Sequence, residues 1–273
     1  MNRLREAFET HRMELAHAVV ECRSRARPRS VHTLRTLTRR VEACLRAIAE
    51  NHRGAHRLTS VVPKLLKTLS LLRKAAGEVR DLDVQRKLVL EVAGSGHGEQ
   101  HAHPAGDADV ERVGSFCKVK RKDAADRLRK LLTSHELILE RDLEAVARAL
   151  KSFKGQEASP AATAARWVRK AGRSDKKLSK SALHDFRKET KLARYLAEMQ
   201  PDSQTAVFLA RALRTIQNAI GKWHDMDLLV ATMKPLLGKD AELRRRAQRR
   251  RRKALQSARA LLRSHAGSFR KHA

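Results

Sequence analysis

Residues 31–48 read VHTLRTLTRRVEACLRAI. Each residue of an α-helix turns about 100°, so Arg35, Arg39 and Arg46 fall within roughly 60° of His32, and Arg40 lies about 80° to the other side. Leu34, Leu37, Val41, Leu45 and Ile48 gather on the opposite face, between about 140° and 220°. One face is built to pack, and the other presents a column of cations. A solvated face usually mixes signs at i,i+4, whereas Thr36 and Thr38 offer these arginines no local carboxylate. Like charges stacked in this way are costly unless a polyanion neutralises them.

The pattern occurs twice. His32-Thr33-Leu34-Arg35 returns 152 residues later as His184-Asp185-Phe186-Arg187, followed by Lys188, Lys191 and Arg194 on one helical face. The second copy's apolar stripe is less tidy: Tyr195 and Met199 sit near the basic side, and Leu192 stands where the first copy has Arg40. Downstream, Gly77-Glu78-Val79-Arg80-Asp81-Leu82-Asp83 returns as Gly221-Lys222-Trp223-His224-Asp225-Met226-Asp227, and Lys67 and Arg211 stand at one offset from those glycines. Two unrelated markers repeating in the same order indicate an internal duplication.

Apolar residues at spacings of three and four, with few Pro and Gly, predict helices throughout and no strand. The expected spans are 2–23, 29–51, 57–76, 79–92, 109–151, 161–172, 180–200, 203–220 with 223–234, and 239–266. Pro28 and Asp202 serve as helix-entry signals. Gly94–Asp107 reads as a flexible loop and Gly155–Pro160 as a second punctuation mark near mid-chain. The expected fold is all-α, one domain over 1–273 with similar halves at 1–154 and 155–273.

The chain has 273 residues, 60 Lys+Arg against 30 Asp+Glu, a formal net charge of +30, and 41% hydrophobic residues. That is enough length and apolar content for a sizeable core. No apolar run approaches the roughly 18–20 residues that span a bilayer. Met1 to Leu15 carries Glu6, Glu9 and Glu14 and no apolar stretch, unlike a signal peptide, so a cytoplasmic protein is expected. Three cysteines, Cys22, Cys44 and Cys117, form no disulfide framework and read as buried thiols. The charge calls for a polyanionic partner: DNA, RNA, anionic membrane, or a non-nucleic polyanion. Aromatic residues are only 3%, too few for the stacking platforms of single-strand binders, which favours recognition of phosphate alone.

Taken in order, His32-x-x-Arg35-x-x-x-Arg39-Arg40, Val79-Arg80-Asp81-Leu82-Asp83-Val84, Leu183-His184-Asp185-Phe186-Arg187-Lys188-x-x-Lys191-x-x-Arg194-Tyr195 and His224-Asp225-Met226-Asp227 resemble the CHAD domain, the conserved-histidine α-helical domain. The resemblance covers almost the whole chain. It implies two antiparallel four-helix bundles related by pseudo-twofold symmetry, binding inorganic polyphosphate on basic surfaces that meet at the centre, without catalysis or cofactor. The expected polyphosphate-binding set is His32, Arg35, Arg39, Arg40, Arg46, Lys67, Lys74, Arg80, His184, Arg187, Lys188, Lys191, Arg194, Arg211, Arg214 and His224. Such a ligand would bring the protein to polyphosphate granules. The sequence departs from the family at Glu42, where another basic residue is common, and at Leu192, so the two halves should grip unequally. Nothing in it resembles the triphosphate-tunnel β-barrel often joined to this family.

Other constellations weigh less. Asp81/Asp83 and Asp225/Asp227 invite a Mg²⁺-dependent phosphatase reading, but residues two apart on a helix point about 200° away from each other. Near presumed helix starts after their glycines, they fit a dipole or cation-orienting role better. His32 and His184 have no repeated nucleophile beside them. As phosphate donors they act best when protonated, which a polyanion favours. His97, His101 and His103 lie in the glycine-rich loop without a second ligand element, His135-Glu136 lacks the second histidine of a zincin, and nothing marks Cys117 as catalytic. Arg244–Lys253 holds eight cations in ten residues. It suits an auxiliary contact for the same ligand, or the alternative function, nonspecific binding of RNA or DNA.

Overall fold

In the computed structural model the described residues are 3–51, 56–94, 104–151, 159–171 and 179–272. They form α1 (Arg3–Ser24), α2 (Pro28–Asn51), α3 (His56–Gly94), α4 (Pro104–Lys151), α5 (Pro160–Ala171), α6 (Lys180–Glu198), α7 (Gln204–Met233) and α8 (Glu242–His272). No strand occurs among the described residues. Pro28 opens α2, where its missing N–H costs nothing. Asp202 is not a cap: Ser203 caps α7, its hydroxyl accepting from the Ala206 N–H at 3.3 Å, while Asp202 takes a fork from Arg3 with both contacts at 2.7 Å.

Two expected breaks do not exist. α3 and α7 run unbroken through Gly77 and Gly221. An isolated glycine costs a helix only about 1 kcal/mol relative to alanine, which the flanking packed turns absorb. The expected loop is also shorter at both ends, since Gly94 closes α3 and Pro104 opens α4. The remainder of that loop, with His97, His101 and His103, lies outside the described residues, as does most of Gly155–Pro160, apart from Ser159 and from Pro160, which begins α5.

α1 packs on α2 and α4, α2 on α3, and α3 on α4; α5, α6, α7 and α8 repeat the sequence of neighbours. Across the middle, α2 lies against α6 and α3 against α7. The predicted stripe of α2 is buried: Leu34, Val41, Leu45 and Ile48 fully, Leu37 at 6% exposure. It belongs to one core that continues from Leu65, Leu69, Leu128 and Leu132 into Leu183, Leu196, Leu213 and Ile216, joining both groups of helices. A smaller core of Val89, Val92, Val113, Cys117, Met226, Leu229, Met233 and Leu243 locks the C-terminal part of α3 and the start of α4 to α7 and α8. Cys22, Cys44 and Cys117 are free and buried; burial pushes the Cys22 thiol up to about 11 and Cys44 to about 12. Neither forms a reactive thiolate near neutral pH. Among the described residues, no helix is long and apolar enough to cross a membrane.

Candidate polyanion-binding site

The site forms where α2, α3, α6 and α7 meet. Arg40 stands over the Tyr195 ring at 5.9 Å and Cys44 Sγ touches Met199 Sδ at 3.9 Å, so α2 and α6 run side by side in the same direction. Their basic columns therefore face one another, with Arg35 in electrostatic reach of both Arg187 and Lys191, and Arg39 in reach of Lys191.

The glycines that do not break their helices make room for these columns. Arg35 Nε lies 3.7 Å from where a Gly77 side chain would begin, and Arg187 Nη2 lies 3.6 Å from the same point at Gly221. One turn further along, on the same helical face, stand Asp81 and Asp225. Arg35 Nη1 reaches Asp81 Oδ1 at 3.9 Å, and Arg187 and Asp225 are electrostatic partners. Each arginine thus crosses a glycine and leans toward a carboxylate on the next helix. Both keep a buried Nε–H without a protein partner, as does Arg194. A buried donor left unpaired costs about 1–3 kcal/mol, and a ligand oxygen would recover that.

The carboxylates do not neutralise the cations. Burial, together with Arg187, Arg39, Arg35 and Arg194, pushes Lys191 down to about 6. Arg39 is lowered to about 10 by burial, with Arg73 and Arg35 adding repulsion. His224 is lowered to about 4 by burial and by Arg187, His184, Arg35 and Lys191. Partial burial and the neighbouring Arg80, Arg35 and Lys191 lower His32 as well. Burial raises Asp81 and Asp225, while the surrounding guanidiniums pull them back. Burial first and the neighbouring cations second disfavour the charged forms of Lys191, Arg39 and His224, and an anion at the centre would favour those forms again. The His184 and His224 rings lie 5.6 Å apart at the end of the column nearest the α6 N-terminus. The expectation that His32 and His184 donate best when protonated concerns the polyanion-bound state; within the protein alone, burial and the neighbouring cations push His32 and His224 the other way, toward the neutral form.

The Asp pairs are not at helix starts but deep within α3 and α7. Each pair splits to opposite sides. Asp81 and Asp225 face the centre, while Asp83 accepts from Arg121 Nε at 2.8 Å and Asp227 from Arg251 Nη1 at 3.3 Å. Both outer partners come from the helix that follows, so the aspartates orient cations.

Several expected site residues lie outside the centre. Arg46 is exposed and bonded to Glu42, with Nε to Oε1 at 3.0 Å, so α2 does carry a local carboxylate partner after all. Arg214 is exposed and donates to Glu198 at 2.9 Å. Lys67 and Arg211 are exposed and stand ten residues before Gly77 and Gly221, about 15 Å along their helices. Arg211 lines a separate cavity with Val207, Phe208 and His265. Lys74 and Lys188 are exposed flanking cations. Arg40 and Arg194 both stand over the Tyr195 ring, at 5.9 and 4.7 Å from its centroid, which explains an aromatic on the basic side of α6. Arg73 and Arg121 were missed, and Arg251 was read only as part of the Arg244–Lys253 tract, without its Asp227 partner. The Gly-x-x-x-Asp spacing in both copies, which puts a gap and an acceptor one turn apart, signals the seats of Arg35 and Arg187 but not these three.

The Arg244–Lys253 tract is tied into the protein. Glu242 accepts from Arg245, Arg246 and Arg249, Arg244 donates to the Leu237 carbonyl, and Arg251 holds Asp227.

An all-helical protein with a cation-rich centre between two helix groups defines the class. The CHAD domain family model matches residues 6–234, and the chain belongs to the CHAD domain family. Two solved structures share its fold. PptA from Streptomyces chartreusis is 14% identical with a TM-score of 0.73, the match covering 97% of this chain and 98% of that one. The CHAD domain from the plant Ricinus communis is 17% identical with a TM-score of 0.65, covering 99% and 90%. No curated protein matches the sequence.

Proposed function

We propose that the protein binds inorganic polyphosphate at the centre of the α2, α3, α6 and α7 group, and that it does so without catalysing a reaction. The observation that carries this reading is the matched pair Arg35 and Arg187, each laid over a glycine with a buried Nε–H unpaired. Arg39 and Lys191 continue the two columns. A phosphate chain offers acceptors along its length, and guanidiniums bind such oxygens with short, charge-assisted forks. The flanking cations Arg40, Lys74, Arg80, Lys188 and Arg194 extend the favourable potential outward. The paired aspartates serve as internal partners for arginine, which supports a binding role over a metal-dependent hydrolase.

Nonspecific nucleic-acid binding is the competing reading. Carboxylate and carbonyl partners inside the fold take up much of Arg244–Lys253, which weakens that tract as a free electrostatic arm. Replacing Arg35, Arg39, Arg187 and Lys191 together by Ala is expected to abolish polyphosphate binding with helical circular dichroism retained. Unchanged affinity in that variant would remove the site assignment.

A further inference from the structure

Glu42 and Arg194 each stand ten residues after the first histidine of their copy, and they carry opposite charge. Glu42 is buried, 6% exposed, and accepts from two cations, Arg46 Nε at 3.0 Å and Arg73 Nη1 from α3. In the other column the carboxylate arrives one turn later. Glu198 lies 3.8 Å from Arg194 and accepts from Arg214 of α7 at 2.9 Å. Both columns therefore end in a carboxylate clamped between an arginine of its own helix and one of the next. At a rise of about 1.5 Å per residue, the clamp follows Arg35 by roughly 10 Å on α2 and Arg187 by roughly 16 Å on α6.

A carboxylate gripped by two guanidiniums makes the contacts that a phosphate's oxygens would make there. Its charge also repels a phosphate that approaches the same cations. We propose that Glu42 is a built-in counter-anion that ends the α2 column one turn early. The bound chain then engages α2 through Arg35 and Arg39, and α6 through Arg187, Lys191 and Arg194, whose contact with Glu198 is the looser one at 3.8 Å and whose buried Nε–H is unpaired. This rests on the polyphosphate reading above and adds to it an asymmetric, bounded track.

The test is a salt series of polyphosphate titrations on the full chain. Each phosphate contact contributes a slope of about 0.7 in log affinity against log salt for a single-stranded polyanion. Glu42→Gln frees Arg46 and Arg73 and is expected to raise affinity several-fold and steepen the slope by about 1.4. The exchange E42R/R46E keeps net charge constant, gives α2 the order found in α6, and should steepen the slope by about 0.7. Glu140→Gln, the same charge change at an exposed position on α4, should leave the slope unchanged. The inference is overturned if Glu42→Gln merely tracks Glu140→Gln, or if the exchange leaves the slope unaltered. The exchange also decides the matter should Glu42→Gln lose its helical signal. Flat titrations for the unaltered protein would overturn the polyphosphate reading itself, and this inference with it.

Discussion

Lys191 carries the largest electrostatic tension in the site. Burial first, and then Arg187, Arg39, Arg35 and Arg194, lower it from 10.5 to about 6, so between those two values the folded chain binds fewer protons than the unfolded chain. Stability then rises with pH across that window, and its contribution is absent below the folded value. Lys191→Met is expected to flatten this dependence in denaturant melts from pH 6 to 9; an equally steep profile in the variant would place its origin elsewhere. Ligand binding has the opposite sign. A polyanion favours the charged amine, so binding takes up a proton and affinity should fall as pH rises from 6 to 8. Proton uptake, measured by titration in buffers of different ionisation enthalpy, should shrink in Lys191→Met.

At the level of single elements, α3 and α7 convert a glycine and an aspartate one turn apart into an arginine seat. A methyl at Gly77 would meet Arg35 Nε at 3.7 Å, an ordinary contact. Gly77→Ala should therefore keep binding and gain up to about 1 kcal/mol of stability from helix propensity. Gly77→Leu should displace the guanidinium and weaken binding with helicity intact. The outer aspartates differ in burial. Asp83 and Arg121 are 8% and 20% exposed, so Asp83→Ala should cost about 3 kcal/mol in chemical denaturation. Asp227 and Arg251 are 38% and 31% exposed, and Asp227→Ala should cost less than about 1 kcal/mol. Helical periodicity made the α2 stripe and both basic columns legible in the sequence, because burial and charge segregate at 3.6 residues per turn. The continuity of α3 and α7 was not legible. Glycine signals either a break or a close approach, and only the opposing arginine decides which. Likewise Arg73 and Arg121 act through partners on other helices, which one-dimensional spacing does not reveal.

Across the whole molecule, a net charge of +30 is tolerated because many cations are internally paired and the rest converge on one centre or remain solvated. One core runs through both helix groups, and a second one ties α3 and α4 to α7 and α8, so the helices that carry the two columns are packed firmly together. That preorganisation distinguishes a shaped site from a merely basic surface. Affinity should still fall steeply with salt as counterions are released. The most direct test is competition between long-chain polyphosphate and duplex DNA or RNA of matched charge, at one physiological salt concentration, for the unaltered protein and for the Arg35, Arg39, Arg187 and Lys191 quadruple alanine variant. A clear preference for polyphosphate that disappears in the variant is the predicted result. Binding of all three polymers in proportion to charge alone, unaffected by the four substitutions, would contradict it.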